Sequence, residues 1–150
     1  MTALKKVAGP WGESELTKFL HDAEIPIRLA AISSDGHPII ASLWFLYEDG
    51  KIYCACRNNA AMVSLIEKNN VVGFEVAGEK PPYFGIRGIG SAILKENIGE
   101  KILRKLIDRY LGDNESGFRN WLLSGVENEI AIEISPSQIT SWDYQKRMSQ

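Results

Sequence analysis

The chain has 150 residues, 45% of them hydrophobic and 24% charged, with a formal net charge of −2, the size and balance of one globular domain that buries a sizeable core. So small a net charge, with its basic residues scattered, creates no field that would gather nucleic acid or an anionic membrane. The opening MTALKKVAGPWGESEL holds no apolar run of signal-peptide length, nothing downstream approaches a membrane span, and two cysteines make no disulfide framework; the expectation is a cytoplasmic protein whose residues 1–150 are a single domain.

Ser14 is placed to cap a helix in which Leu16, Phe19, Leu20 and Ala23 share a face. Pro26 ends that pattern and releases an extended run over 27–33. Ser34-Asp35-Gly36 is turn chemistry, and 38–48 reads as one long strand. Asp49-Gly50 signals a hairpin into a strand over 51–56. A short helix is expected over 60–68, with Asn59 as its cap, and strands over 71–77 and 83–95. Ile98, Ile102, Leu103, Leu106, Ile107, Tyr110 and Leu111 then make the clearest helical stripe, with Glu100 and Arg104 one turn apart. A further short helix over 118–124 and strands over 129–135 and 139–144 finish the chain. Strands joined largely by tight turns make an antiparallel sheet, and six or more favour closure, so the fold class expected is mainly β, a barrel with peripheral helices.

Strand parity carries two further expectations. Along 38–48, Ile39, Ala41, Leu43, Phe45 and Tyr47 form one apolar face, the expected core. Ile40, Ser42, Trp44 and Leu46 form the other, too greasy for water, so a helix, a second subunit or a flat cofactor should cover it. Along 83–95, Ile86, Gly88, Gly90 and Ala92 share a face almost stripped of side chains, so another body should approach that backbone closely.

The candidate chemistry is sparse. Cys54 and Cys56 share a strand face without the spacing of a redox or zinc pair, and His21 and His37 are the only histidines to complete a site, so the cysteines read as buried thiols and no metal is expected. Ser34, Asp35 and His37 are neighbours in one turn, whereas a triad converges from separate places. Glu127, Glu129 and Glu133 read as a solvated strand face, and Gly85-Gly88-Gly90 lacks the context of a dinucleotide fingerprint. Arg28 opens a strand on an apolar parity with no carboxylate near it in sequence; a surface salt bridge or the anion of a ligand would satisfy it. No side chain stands out as a catalytic acid or base.

The order of elements (helix, Pro-x-Arg strand, Asp-Gly hairpin, Tyr-x-x-Cys turn and helix, then Ile-Arg-x-x-Gly-x-Ala) resembles the pyridoxamine phosphate oxidase-like FMN-binding split barrels. The ending Ile-Glu-Ile-Ser-Pro-Ser-Gln-Ile-Thr-Ser-Trp-Asp-Tyr is similar to that superfamily's small flavoproteins, including relatives that use a deazaflavin. The resemblance implies a six-stranded antiparallel split β-barrel, Greek-key-like, that pairs as a homodimer with flavin mononucleotide in the interface. It implies an oxidoreductase acting on a small molecule; relatives that hold deazaflavin or haem, or a barrel that has lost its cofactor and only binds, are the alternatives. It matches Arg28, on the strand with Leu29 and Ala30, to a phosphate-binding arginine. It lays the backbone near Ser42, Leu43 and Trp44 beside the flavin ring, and matches Arg87 and Trp142 to residues close to the site. The family's turn of threonine, then serine-arginine-lysine, corresponds here to Cys56, Ala60, Ala61 and Met62, so Met62 stands where a phosphate lysine is usual. Two missing charge-assisted contacts at ~1.5–3 kcal/mol each cost roughly two to four decades in affinity. Arg28, Arg57, the amides of Asn58 and Asn59 and the following helix start are left to hold the phosphate.

Overall fold

The computed structural model describes residues 6–113 and 117–145. Strand β1 (Lys6–Ala8) leads through helix α1 (Glu13–Asp22) to the hairpin of β2 (Ile27–Ile32) and β3 (Pro38–Leu43). Strands β4 (Leu46–Glu48) and β5 (Lys51–Arg57) follow, then α2 (Ala61–Lys68), β6 (Val71–Ala77) and β7 (Phe84–Lys95). Helices α3 (Gly99–Leu111) and α4 (Gly117–Leu123) precede the last strand, β8 (Glu129–Asp143).

The strands form one curled antiparallel sheet in the order β3-β2-β6-β7-β8-β5-β4, with β1 added to β8 in parallel. Eight strands are described where the sequence pattern implies seven and the resemblance six: β1 was not expected, one expected strand divides and two others join. The run over 38–48 does not stay one strand: it breaks at Trp44-Phe45, so β3 pairs with β2 while β4 pairs with β5. Two residues thus carry the chain from one edge of the sheet to the other, and the barrel is split along that line. The two expected terminal strands are instead one, because β8 passes Pro136 at a register shift opposite Ile89 and Gly90, the position where a strand proline is tolerated.

The inner face carries the core. Leu29, Ile52, Ile86, Ile132, Ile134 and Ile139 are fully buried there, together with Phe45. Leu16 and Leu20 of α1 close one side of this core, and Met62 and Ile66 of α2 another. Of the expected inner parity of 38–48, Ala41, Leu43 and Tyr47 pack against the core, whereas Ile39, near the hairpin end, is 41% exposed. Helix α3 lies on the outer face of β4, β5 and β8, its Ile102 and Leu106 clustering with Leu46 and Ala131 and flanked by Trp44 and Tyr53. The cover expected over Trp44 and Leu46 is therefore this chain's own helix.

The bare face of β7 also finds its neighbour within the chain. A Cβ on Gly88 would lie 2.4 Å from Phe74 Cζ, and one on Gly90 would lie 2.3 Å from the Ser135 carbonyl oxygen. The body that approaches Gly88 is the Phe74 ring of β6, inside the barrel. Two helix starts also move. Gly12 rather than Ser14 precedes α1, its N–H donating to Glu15 Oε1 at 3.3 Å, and α2 begins after Ala60, with no cap from Asn59.

Candidate functional site

The break at Trp44-Phe45 builds a site out of backbone geometry. Beyond Tyr53, β5 has no partner on its β4 side, and β3 has none on the side away from β2, among the described residues. Two bare strand edges therefore flank the split, and backbone donors and acceptors left this way seek a partner. A pocket of about 300 Å³ occupies this place, with Ser42, Leu43 and Trp44 on one side and Ala55, Cys56 and Arg57 on the other. The Tyr110 hydroxyl braces the break in the strand, accepting from Phe45 N at 3.2 Å and donating to the Ile25 carbonyl at 3.1 Å.

The pocket walls are aromatic. Trp44 stacks on Tyr110 with centroids 4.9 Å apart and planes 5° from parallel. Phe118 of α4 meets Trp44 edge-on at 6.1 Å, and Trp121 lies nearly parallel to Phe118 at 6.1 Å. Phe118 and Trp121 remain half or more exposed, although rings of that size normally bury.

Arg57 ties α4 to the barrel. Its Nε is 2.8 Å from Glu129 Oε1, its Nη2 donates to the Leu122 carbonyl at 3.5 Å, and its guanidinium stands 5.8 Å over the Trp121 ring. Gly125 permits this, since a Cβ there would fall 1.9 Å from Arg57 Nη1. Burial pushes the Glu129 carboxyl up, and the adjacent guanidinium works against that rise. Cys56 borders the same pocket with its thiol pushed up to about 12 by burial and by the Glu129 charge, so it is a poor nucleophile. Burial pushes Cys54 up further still, and both cysteines are free.

The residues singled out from the sequence do not all meet. Arg28 is the cross-strand neighbour of Ser42, which sets it beside the split. It lines a second hollow with Tyr83, Trp142 and Tyr144, where its Nη2 pairs with Glu79 Oε1 at 3.1 Å. The surface salt bridge thus exists, with a carboxylate distant in sequence. Arg87 continues the same row through Glu75 and lies 5.9 Å over the Trp142 ring. Ala30 is on this outer face one pair further along, opposite Ile40. Leu29 points the other way, fully buried in the barrel. In the turn after β5, Asn58 and Asn59 are exposed, as is Ala61, and Asn58 N donates to the Asn128 carbonyl at 2.8 Å. Met62 is 5% exposed within the main core.

One expectation is overturned outright. Glu129 and Glu133 are 7% and 3% exposed, not a solvated face, because α3 and the neighbouring strands cover them and cations compensate their charge. The residues missed were Phe118, Trp121 and Glu129. Phe118 and Trp121 stand one helical turn apart after Gly117, a spacing that could have marked an aromatic helix face.

No family model and no curated protein matches this sequence. Solved structures do match. A conserved hypothetical protein from Mycobacterium tuberculosis superposes with TM-score 0.78 at 19% identity, over 98% of this chain and 93% of its own. An F420 reductase matches with TM-score 0.66 at 20% identity, over 87% of this chain and 97% of its own. A candidate pyridoxamine 5′-phosphate oxidase from Listeria innocua matches with TM-score 0.67 at 18% identity, over 86% of this chain and 96% of its own. The protein is thus a mainly β protein built on a split antiparallel barrel with flanking helices. Its fold is that of the pyridoxamine phosphate oxidase-like split barrels.

Proposed function

We propose that this chain is an FMN-binding flavoprotein of the pyridoxamine phosphate oxidase-like type, an oxidoreductase acting on a small molecule, and that it works as a homodimer with the flavin at the interface. The observation that carries this reading is the split itself: free strand backbone on β3, one residue pair from Arg28 and beside an aromatic-walled pocket. A flavin ring would set its polar edge along the β3 backbone of Ser42, Leu43 and Trp44, leaving Phe118 and Trp121 of α4 to a second ligand. Arg28 would take the phosphate. Its present partner Glu79 is 82% exposed, and surface pairs of that kind are worth only ~0–1 kcal/mol, so a phosphate can displace it. Arg87, also exposed, lies in the same row. Met62 and Arg57 fall outside the phosphate cradle, one packed in the core and the other held by Glu129. The flavin supplies hydride chemistry when bound, and the protein binds and orients. The names of the neighbours support a redox reading, since they include a reductase and a candidate oxidase.

The test is the visible spectrum and released-cofactor mass of gently purified protein, followed by titration of the apo-protein with FMN. Saturable quenching of flavin fluorescence by tens of micromolar protein is expected. No quenching in that range overturns the reading, and a deazaflavin or haem mass replaces FMN while keeping the architecture.

A further inference from the structure

We infer that α4 is the substrate wall of this pocket, and that the ligand it selects is a small, uncharged, planar aromatic molecule held by Phe118 and Trp121. This deepens the proposed function and rests on it for the word substrate; the ligand chemistry rests on the pocket alone. Three observations carry it. First, Trp121 is 63% exposed and Phe118 50% exposed while both border the pocket. Leaving two large rings facing a cavity forfeits apolar burial that a flat ligand would recover. Second, the pocket has no charge to recruit an ion, because its lining cation and anion, Arg57 and Glu129, neutralise each other at 2.8 Å. Third, Arg57 orients the wall: it donates to the Leu122 carbonyl and stands 5.8 Å over the Trp121 ring, and Gly125 leaves it room. At about 300 Å³ the space is at the small end for ligand pockets, which favours one or two fused rings.

The probe is 2-naphthol, with cyclohexanol as the non-planar control, titrated by calorimetry into the full chain with and without FMN. Wild-type protein should bind 2-naphthol in both states and ignore cyclohexanol. Trp121→Ala should weaken 2-naphthol by about tenfold or more, Trp121→Phe should retain most of the affinity, and neither should change the FMN titration. Trp121 is largely exposed, so both variants should melt with the wild type. Failure of wild type to bind 2-naphthol, an unchanged affinity in Trp121→Ala, or mutual exclusion between 2-naphthol and FMN would each overturn the inference. Loss of FMN binding alone, with Trp121-dependent 2-naphthol binding intact, retires the cofactor and leaves the aromatic-ligand wall standing.

Discussion

Glu133 shows how much one outer-face residue depends on what covers it. Its carboxylate is 3% exposed between two strand lysines: Lys51 Nζ donates to Oε1 at 3.1 Å and Lys95 Nζ lies 2.9 Å from Oε2. Burial pushes the Glu133 carboxyl up, but hydrogen bonds from Lys95, Lys51 and Tyr53 outweigh it and hold the group below its ordinary 4.5. The Tyr53 phenol is correspondingly pushed up to about 12, by burial first and then by that carboxylate. A carboxyl depressed in the folded state stabilises the protein fully above the ordinary value, and the contribution disappears as pH falls through the lower folded value. Glu133→Gln should therefore cost roughly 1.5–3 kcal/mol at neutral pH, read as a lower urea midpoint. The gap from wild type should close on acidification below pH 4.5; a gap constant with pH would sink the assignment. The alternation of Glu129, Ala131 and Glu133 was legible as one strand face. That this face is covered was not, because its cover is α3, which joins it only in the fold.

At the scale of elements, periodicity was legible and orientation was not. The apolar stripe of α3 is buried as its spacing requires, through Ile102, Leu103, Leu106 and Ile107, and Glu100 and Arg104 pair at 2.9 Å. Trp44-Phe45, in contrast, carries no proline, glycine or charge that would announce a break in a strand. The break follows from pairing, since β3 and β4 satisfy different partners. Helix α2 makes the same point for the site. Counting positions sets Met62 at a phosphate-binding place, and a lysine there would be expected to tighten flavin binding. The helix turns that residue inward, against a core that includes Ile66 and Phe74. Met62→Lys would place an ammonium group in apolar packing, and the lost methionine contacts alone are worth ~2–5 kcal/mol. The variant should lose roughly 3 kcal/mol or more in chemical denaturation and gain no FMN affinity at low salt. A stable variant with tighter FMN binding would mean that α2 presents this position to the ligand.

Among the described residues of the molecule, one half of the outer sheet face carries no helix. Helix α3 covers β4, β5 and the first half of β8, whereas Ile40, Val71 and Ile89 on β3, β6 and β7 stay 68%, 50% and 55% exposed. Register aligns Ile40, Ala30, Gly73 and Ile89 into one row across four strands, so these side chains form a continuous strip rather than scattered apolar residues. A strip of this kind, adjoining the row of Arg28 and Arg87, has the composition of an interface centre with a charged rim. It lies one residue pair from the split, so a second copy docked there would reach the proposed cofactor as well. The proposed homodimer then makes two linked demands. Wild-type protein should have twice the 16.7 kDa chain mass by sedimentation at micromolar concentration. Ile89→Lys, a change at a residue already more than half exposed, should yield a folded monomer, because a lysine pair facing across a two-fold interface loses hydration without gaining a partner. Since the flavin is proposed to be shared between the copies, the same variant should weaken FMN binding in step with its loss of dimer. A monomeric wild type would remove the second copy from the site. A monomeric variant that binds FMN undiminished would keep the dimer but confine the cofactor to the split of a single chain.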